Sequence, residues 1–208
     1  MSPVFGAVIL WLATVILWWS GWKEETSGGI PQRAVAIFLS GWPLFMGWSV
    51  HLTSSVSLQG AWLWMFALIL AVAWKMEGSQ RWTSASAGLL FGAVFILLHR
   101  LSEYPLSWSK VAAPWGTAIL IGVMASVLLK DAPSQLLSLS VAVALSEGVP
   151  ALVFAAGGAG DEASLAWMRN WWIAVLFARL CATIAEAFVR FKQARDRKIG
   201  WRSGDERS

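Results

Sequence analysis

Seven long apolar stretches constrain this chain more than any other feature of its sequence. Polar or Gly/Pro-containing connections separate the stretches, which cover residues 3–22, 34–52, 56–74, 85–101, 111–129, 136–157 and 171–189. A membrane-spanning helix needs about 20 apolar residues, and because the hydrocarbon holds no water, every backbone amide must bond within its own segment. The pattern predicts an all-α, polytopic bundle of seven spans over residues 1–189, followed by a basic tail over 190–208.

The composition excludes an ordinary soluble domain. Charged residues make up only 13% of the 208 residues, whereas a water-soluble domain carries about 25%. The single cysteine, Cys181, excludes an internal disulfide and a multi-cysteine metal site. The first stretch exceeds the 7–15 apolar residues typical of a signal peptide and lacks a positive start and a cleavage site, so we expect it to be retained as a span.

The basic residues predict the orientation of the bundle. With the N-terminus outside and the C-terminus inside, 12 of the 16 Lys and Arg residues fall on the inner side, and three, Arg100, Lys110 and Arg169, fall outside. The last one, Arg179, lies within the seventh span. Such an excess on the cytoplasmic side is the positive-inside rule. The sequence therefore predicts a multi-pass protein of the cell (plasma) membrane, N-out and C-in.

The 16 tryptophans fall into two groups. Six stand at predicted span ends: Trp18, Trp19, Trp22, Trp74, Trp171 and Trp172. Indole rings favour the headgroup level, so we expect these six at the membrane interface. Three others, Trp11, Trp42 and Trp64, fall deeper, where we expect them to fill gaps between helices; an aromatic cage for a cation is the alternative.

Small residues spaced four apart form a stripe on each of three predicted helices. The stripes are Ser84, Gly88 and Gly92 in the fourth, Ala118, Gly122 and Ser126 in the fifth, and Ser138, Ala142 and Ser146 in the sixth. Such stripes let two helix backbones approach closely, which is how membrane helices associate. We expect them to pack the bundle internally, with self-association through one face as the alternative.

Glu147 and Arg179 form the candidate polar site. They fall near the middle of the sixth and seventh spans, where a lone charge costs about 2.5–3.5 kcal/mol on insertion scales. Because consecutive spans are antiparallel, we expect similar depths and a buried pair. That pair either fixes the register of the two helices or serves a proton, an ion or a small solute. Glu186 lies seven residues after Arg179 on the same face and either continues this polar line inward or reaches the interface.

Proline interrupts two predicted spans near their middles, at Pro43 and Pro150. Proline removes an amide donor and displaces the carbonyl four residues back. Dividing the spans as three, one and three puts these two helices in equivalent positions, and such paired interruptions are typical of transporter sites. This layout resembles that of the SWEET-type sugar carriers, a resemblance that implies a carrier.

No motif in the sequence indicates a catalytic residue or a set of metal ligands. There is no His-Glu-x-x-His and no Gly-x-Ser-x-Gly, and every aspartate falls in a connection or the tail. His51 and His99 fall near the outer ends of their spans, where we expect polar capping, with haem ligation as the alternative. We therefore expect a protein that is not an enzyme and carries no cofactor.

The tail places basic residues directly after the last span: Arg190, Lys192, Arg195, Arg197 and Lys198. Each such residue near an anionic leaflet contributes about 1 kcal/mol, so anionic lipid is an expected partner; the alternative is that these charges only set the orientation. We expect the tail to be disordered beyond its first turn or two. The basic pI arises from this tail and from no folded basic face, so nucleic acid is not an expected partner.

The general layout also suggests a family. A Trp-rich first helix is followed by a Lys-Glu-Glu turn, further spans and a basic tail, with these residues: Trp11, Trp18, Trp19, Trp22, Lys23, Glu24 and Glu25. In this the chain resembles the YphA-like small multi-pass membrane proteins of Gram-positive bacteria, a resemblance that implies no activity. Our leading prediction is a non-enzymatic scaffold or partner subunit of another membrane protein. The runner-up is a small-solute, ion or proton transporter that uses Glu147 and Arg179, and a membrane enzyme or haem carrier comes third.

Overall fold

Each of the seven apolar stretches overlaps a helix in the computed structural model, which describes residues 3–21, 29–53, 56–102, 115–148 and 166–204. The helical class is confirmed for these residues, with the addition of one hairpin. The elements are α1 (Pro3–Trp19), α2 (Gln32–Met46), β1 (Ser49–Thr53), β2 (Val56–Gln59), α3 (Gly60–Lys75), α4 (Gly78–Ser102), α5 (Gly116–Leu128), α6 (Ala132–Val143) and α7 (Ala166–Gly204). A π-helical turn, Ala144–Gly148, continues α6.

The hairpin corrects the second and third predicted spans, 34–52 and 56–74. Helix α2 ends at Met46 and α3 begins at Gly60, and β1 and β2 pair antiparallel between them, with Val50 opposite Leu58. Both strand sequences, SVHLT and VSLQ, alternate polar with apolar residues. That period of two is typical of a strand and not of a helix, so the signal was present in the sequence.

The last helix corrects the predicted tail. Helix α7 begins at Ala166, five residues before the predicted span, and runs on to Gly204. The expectation of disorder beyond the first turn or two after residue 189 is therefore wrong. Arg, Lys, Gln and Ala make up eight of the 15 residues from Arg190 to Gly204, and these side chains lose little freedom in a helix.

Two of the helices in the described ranges are long and apolar enough to cross a membrane. They are Gly78–Leu98, with a mean hydropathy of 1.5, and Ala166–Gln193, with 1.8. Helices α1, α2, α3, α5 and α6 have 12 to 17 residues, or about 18–26 Å, against about 30 Å of hydrocarbon. All of these except α2 are apolar by the same measure.

Helix α6 lies at the centre of the bundle, in contact with α3, α4, α5 and α7. None of its large apolar side chains is exposed, whereas each of the other six helices exposes several, including Ile16, Leu70 and Phe188. Its buried residues include Ser134 and Ser138. A helix that carries buried serines is thus enclosed, and the exposed apolar side chains lie on the six helices around it.

The stripes of small residues pack inside the bundle, as predicted. A Cβ added at Gly88 would lie 2.7 Å from the carbonyl oxygen of Ser138, and one at Gly92 would lie 2.7 Å from Leu145 Cδ2. The residue numbers at these two contacts increase in the same direction along both helices, so α4 and α6 run parallel. Similarly, a Cβ at Gly122 in α5 would lie 2.5 Å from the carbonyl oxygen of Ala174 in α7.

Candidate functional site

A cavity of about 110 Å³ lies between α1, α2, α6 and α7. Apolar side chains such as Leu17, Phe38 and Val175 form most of its wall. Polar side chains are few, chiefly Gln135 and Arg179. We refer to this space as the α1/α7 cavity.

Gln135 organises the polar end of the α1/α7 cavity. It stands in the first turn of α6 and is buried. Its Nε2 donates to the carbonyl oxygen of Leu129 at 2.7 Å, which satisfies one of the carbonyls that the end of α5 leaves without a helical partner. Its Oε1 accepts from Arg179 Nη1 at 3.4 Å. Gln135 falls one residue before the predicted span 136–157, so its position in the sequence did not indicate this role.

Two contacts set the register between α6 and α7. Trp171 Nε1 donates to Ser140 Oγ at 2.9 Å, and Arg179 contacts Gln135. The residue number thus increases along α7 as it decreases along α6, so the two helices are antiparallel. Arg179 therefore faces the start of α6. Glu147 follows Gln135 by twelve residues, about 18 Å along the helix at 1.5 Å per residue.

This register does not give Glu147 and Arg179 the similar depth that the sequence suggested. The backbone of Glu147 lies in the π-helical turn at the far end of α6, but its side chain lies outside the described residues. Its pairing with Arg179 stays a prediction, one that the register disfavours.

Glu186 reaches the surface of α7. Its Oε2 lies 3.5 Å from Arg190 Nη2 one turn later, and both side chains are more than half exposed. An exposed pair at this spacing contributes about 0.3–0.5 kcal/mol. Of its two predicted roles, this position fits the interface better than an inward polar line.

Pro43 does not break α2, which continues through it to Met46. The ring removes the amide that would bond the carbonyl of Leu39, four residues back. That carbonyl instead accepts the indole N–H of Trp11 at 2.9 Å. Next to it, Trp64 Nε1 donates to the carbonyl of Phe38 at 3.1 Å. Pro43 thus has a structural role, in which α1 and α3 supply donors to α2. Pro150 lies outside the described residues.

Tight packing of Trp64 on α2 explains the neighbouring glycine. A Cβ at Gly41 would clash with the Trp64 ring, so glycine at this position lets the ring pack against α2. The prediction that Trp11, Trp42 and Trp64 fill gaps between helices is confirmed by these contacts and by the 1% exposure of Trp42.

Trp171 and Trp172 lie in the core and not at an interface, which corrects their predicted place. Both are buried, because α7 begins earlier than expected and carries them inside the bundle. The Trp42 ring stacks on Trp171, with centroids 5.6 Å apart, and meets Trp172 edge-on at 5.4 Å. These rings contact one another, so they form a packed cluster and not a cage.

Other predicted residues give less information. The side chains of His51, His99, Arg197 and Lys198 lie outside the described residues, and His51 stands in β1, not in a helix. Arg190, Lys192 and Arg195 are exposed on α7. Within the described part of the chain, no three His, Cys, Asp or Glu residues come together as a metal site would need.

Comparisons with known proteins give this chain no family. No protein-family description, no curated protein and no solved structure matches it. The likeness to YphA-like and to SWEET-type proteins thus stays a prediction from the sequence.

Proposed function

We propose that this chain is a multi-pass integral protein of the cell membrane, with its seven helices as spans. The observation that carries the proposal is the layer of exposed apolar side chains on six helices around a seventh that exposes none. Soluble monomers rarely expose contiguous apolar patches larger than a few hundred Å². In a bilayer, lipid hydrocarbon solvates these apolar side chains.

The contacts of the central helix support this placement. Ser140 Oγ on α6 accepts the indole N–H of Trp171 on α7 at 2.9 Å, and Gly88 on α4 packs closely against the backbone of α6 at Ser138. Membrane bundles associate through small residues and hydrogen bonds between helices, because lipid offers no hydrophobic drive. The contacts of α6 with α4 and α7 are of this kind.

Charge distribution supports the N-out, C-in orientation. Arg33, Lys75, Arg81 and Lys130 are exposed at or between helix ends, in the connections that this threading assigns to the cytoplasm. The five shorter helices fall about 4–12 Å below the hydrocarbon thickness, a mismatch that local thinning of the bilayer accommodates at a fraction of a kcal/mol per Å.

The proposed role is that of a non-enzymatic scaffold or partner subunit of another membrane protein. A carrier of a small solute or ion is the second candidate, and the α1/α7 cavity beside Arg179 is the observation that favours it. Uptake into vesicles that contain the purified protein separates the two, because a scaffold gives no uptake above that of empty vesicles.

Cysteine labelling tests the threading. In a Cys181→Ser background we would place single cysteines at Gly47, after α2, and at Glu77, between α3 and α4. A maleimide that cannot cross membranes should label Gly47→Cys on intact cells and Glu77→Cys only after permeabilisation. The chain should also stay with the membrane pellet at alkaline pH. Labelling of Glu77→Cys on intact cells would overturn the orientation.

A further inference from the structure

A groove of about 370 Å³ opens on the outer surface of the bundle between α1 and α2. Its α1 wall includes Trp11, Val15 and Trp19, and its α2 wall includes Ala36 and Ile37. Trp19 is 79% exposed and Ile37 is 60% exposed, so the groove is open along its outer side. We refer to it as the α1/α2 groove.

The α1/α2 groove forms because small side chains stand beside a large one. Trp11 connects the two helices at one end, where its indole N–H donates to the carbonyl of Leu39. One turn later α1 contributes only Val15 to the lining, and α2 contributes Ala36. Helix α1 packs mainly on α7, so these two side chains leave space between α1 and α2. The apolar walls lack dispersion contacts that an apolar chain would supply.

The length of the α1/α2 groove corresponds to most of one leaflet. Trp11 and Trp19 lie eight residues apart on α1, or about 12 Å along the helix, and one half of the hydrocarbon core is about 15 Å thick. In the proposed threading Trp19 is at the cytoplasmic end of α1, and an exposed indole is typical of the headgroup level. One acyl chain of an inner-leaflet lipid can therefore lie in the groove. The rest of the lipid stays in the bilayer, because the groove is open.

A positive charge stands at the headgroup end of the same groove. Arg33 lies in the first turn of α2, three and four residues before Ala36 and Ile37, a spacing that places all three on one face of the helix. Its side chain is exposed, and it is the one charged residue within the described parts of α1 and α2. The proposed threading puts it on the cytoplasmic side, where the leaflet contains anionic lipids.

We propose that the α1/α2 groove binds an anionic phospholipid of the inner leaflet, with one acyl chain between the helices and the phosphate at Arg33. The planar guanidinium matches two phosphate oxygens. The exposed apolar faces elsewhere on the bundle would contact lipid chains of any kind, whereas this groove joins a chain site to a charge. The inference rests on the proposed membrane placement and concerns α2, not the basic tail.

The test is an equilibrium binding measurement on the purified, delipidated full-length protein in a non-ionic detergent. Dioleoyl phosphatidylglycerol is compared with dioleoyl phosphatidylcholine, which has the same chains and no net charge, and inorganic phosphate is added as a competitor. We expect phosphatidylglycerol to bind about fivefold more tightly or better, and phosphate not to displace it. Equal binding of the two lipids would overturn the proposal, and displacement by phosphate would replace the lipid with a free anion.

Arginine variants locate the headgroup. Arg33→Gln should weaken phosphatidylglycerol binding about fivefold and abolish the preference, because a basic residue near an anionic surface contributes about 1 kcal/mol. Arg33→Lys should retain most of it. Arg81→Gln removes another exposed arginine on the proposed cytoplasmic side and should leave the preference unchanged. Equal losses in Arg33→Gln and Arg81→Gln would show a general effect of charge and overturn the assignment to the groove.

A second pair of variants locates the chain. Ala36→Trp should weaken the binding of both lipids several-fold, because the new ring fills the groove. Ala67→Trp makes the same change on an exposed face of α3 and should leave binding unchanged. If Ala36→Trp does not fold, as judged by circular dichroism, Val15→Phe fills the groove from α1. Unchanged binding in a folded variant with a filled groove would contradict the proposal.

A second copy of the chain is the competing occupant. The molecular mass in detergent, from light scattering, should be the same for Ala36→Trp and for the unchanged protein. A dimer that becomes a monomer in Ala36→Trp would assign the groove to self-association and overturn the lipid proposal.

The lipid proposal and the proposed function fail in different ways. If the protein resists alkaline extraction and shows no preference for phosphatidylglycerol, the membrane placement stands and the lipid site does not. If alkali releases the protein, both fail.

Discussion

Pro43 shows how a single covalent constraint becomes a contact between helices. The missing amide frees the carbonyl of Leu39, and in an apolar interior a free carbonyl costs about as much as a lost hydrogen bond. Trp11 supplies the donor from α1. The sequence located the proline and the deep tryptophan, but nothing in the spacing of the two showed that they meet, because they lie on different helices.

The first prediction is a double-mutant cycle on this contact. Trp11→Phe should lower the free energy of unfolding by about 1–3 kcal/mol, because it leaves the Leu39 carbonyl buried and unpaired. In a Pro43→Ala background the restored amide can bond the Leu39 carbonyl. Trp11→Phe should then lower the free energy of unfolding by less than about half as much as it does in the unchanged protein. Unfolding in bicelles measures both, with the exposed Trp74→Phe as the control. Equal losses in the two backgrounds would contradict the assignment.

The second prediction concerns the partner of Arg179. Cycles that combine Arg179→Gln with Gln135→Leu should give a coupling of about 0.5–1.5 kcal/mol, since the two side chains share a hydrogen bond. Cycles with Glu147→Gln should give less than about 0.5 kcal/mol, because residues farther apart than about 10 Å usually act independently. Strong coupling to Glu147 would instead support the pair expected from the sequence.

At the scale of elements, the apolar stretches predicted which segments are helical, and the ends were less predictable. The hairpin could not be predicted from the long apolar runs alone, because its period of two, at Val50 and Leu58, lies within them. The role of Gln135 was unpredictable for a related reason. A polar residue next to a predicted span has the character of a connection, and only the fold brings it into contact with Leu129 and with Arg179 on α7. Small-residue stripes were predictable because close approach needs them on any helix.

The third prediction uses two glycines of α5. Alanine at Gly122 should lower the free energy of unfolding by about 1–3 kcal/mol, because its Cβ meets the α7 backbone, which cannot move aside as a flexible side chain would. Alanine at Gly116, where nothing lies within 4 Å, should be neutral or stabilising by up to about 1 kcal/mol, since alanine favours the helix. The sign of the difference is the readout in the same unfolding assay, and destabilisation at both sites would argue against close packing of α5 on α7.

At the scale of the whole molecule, a layer of exposed apolar side chains surrounds a core that is itself mostly apolar. Buried serines and a glutamine occupy the central helix, while leucines and phenylalanines on the other helices are exposed. The composition predicts such a surface, since 13% charged residues are too few to cover one in water. Composition could not predict which helix would be central, because that depends on which small-residue stripes pack against neighbouring helices on two sides.

The fourth prediction tests this environment directly. Leu90, near the middle of α4, is 54% exposed. Arginine there should cost about 2.5–3.5 kcal/mol if the surrounding medium is lipid, and less than about 0.5 kcal/mol if it is water. Gln80→Arg in the first turn of α4 is the control and should be neutral. The measurement is the fraction of protein that resists alkaline extraction, together with its unfolding in bicelles, and a neutral Leu90→Arg would count against membrane insertion.

The length of α7 has a consequence for its charges. At 39 residues it measures about 58 Å, nearly twice the thickness of the hydrocarbon layer. In the proposed placement, a continuous helix of that length carries its C-terminal turns progressively farther from the headgroups. Screening at physiological salt limits attraction to about 8 Å. The exposed residues Arg190 and Lys192 lie in the turns nearest the leaflet, so along α7 electrostatic attraction to anionic headgroups falls chiefly on these two.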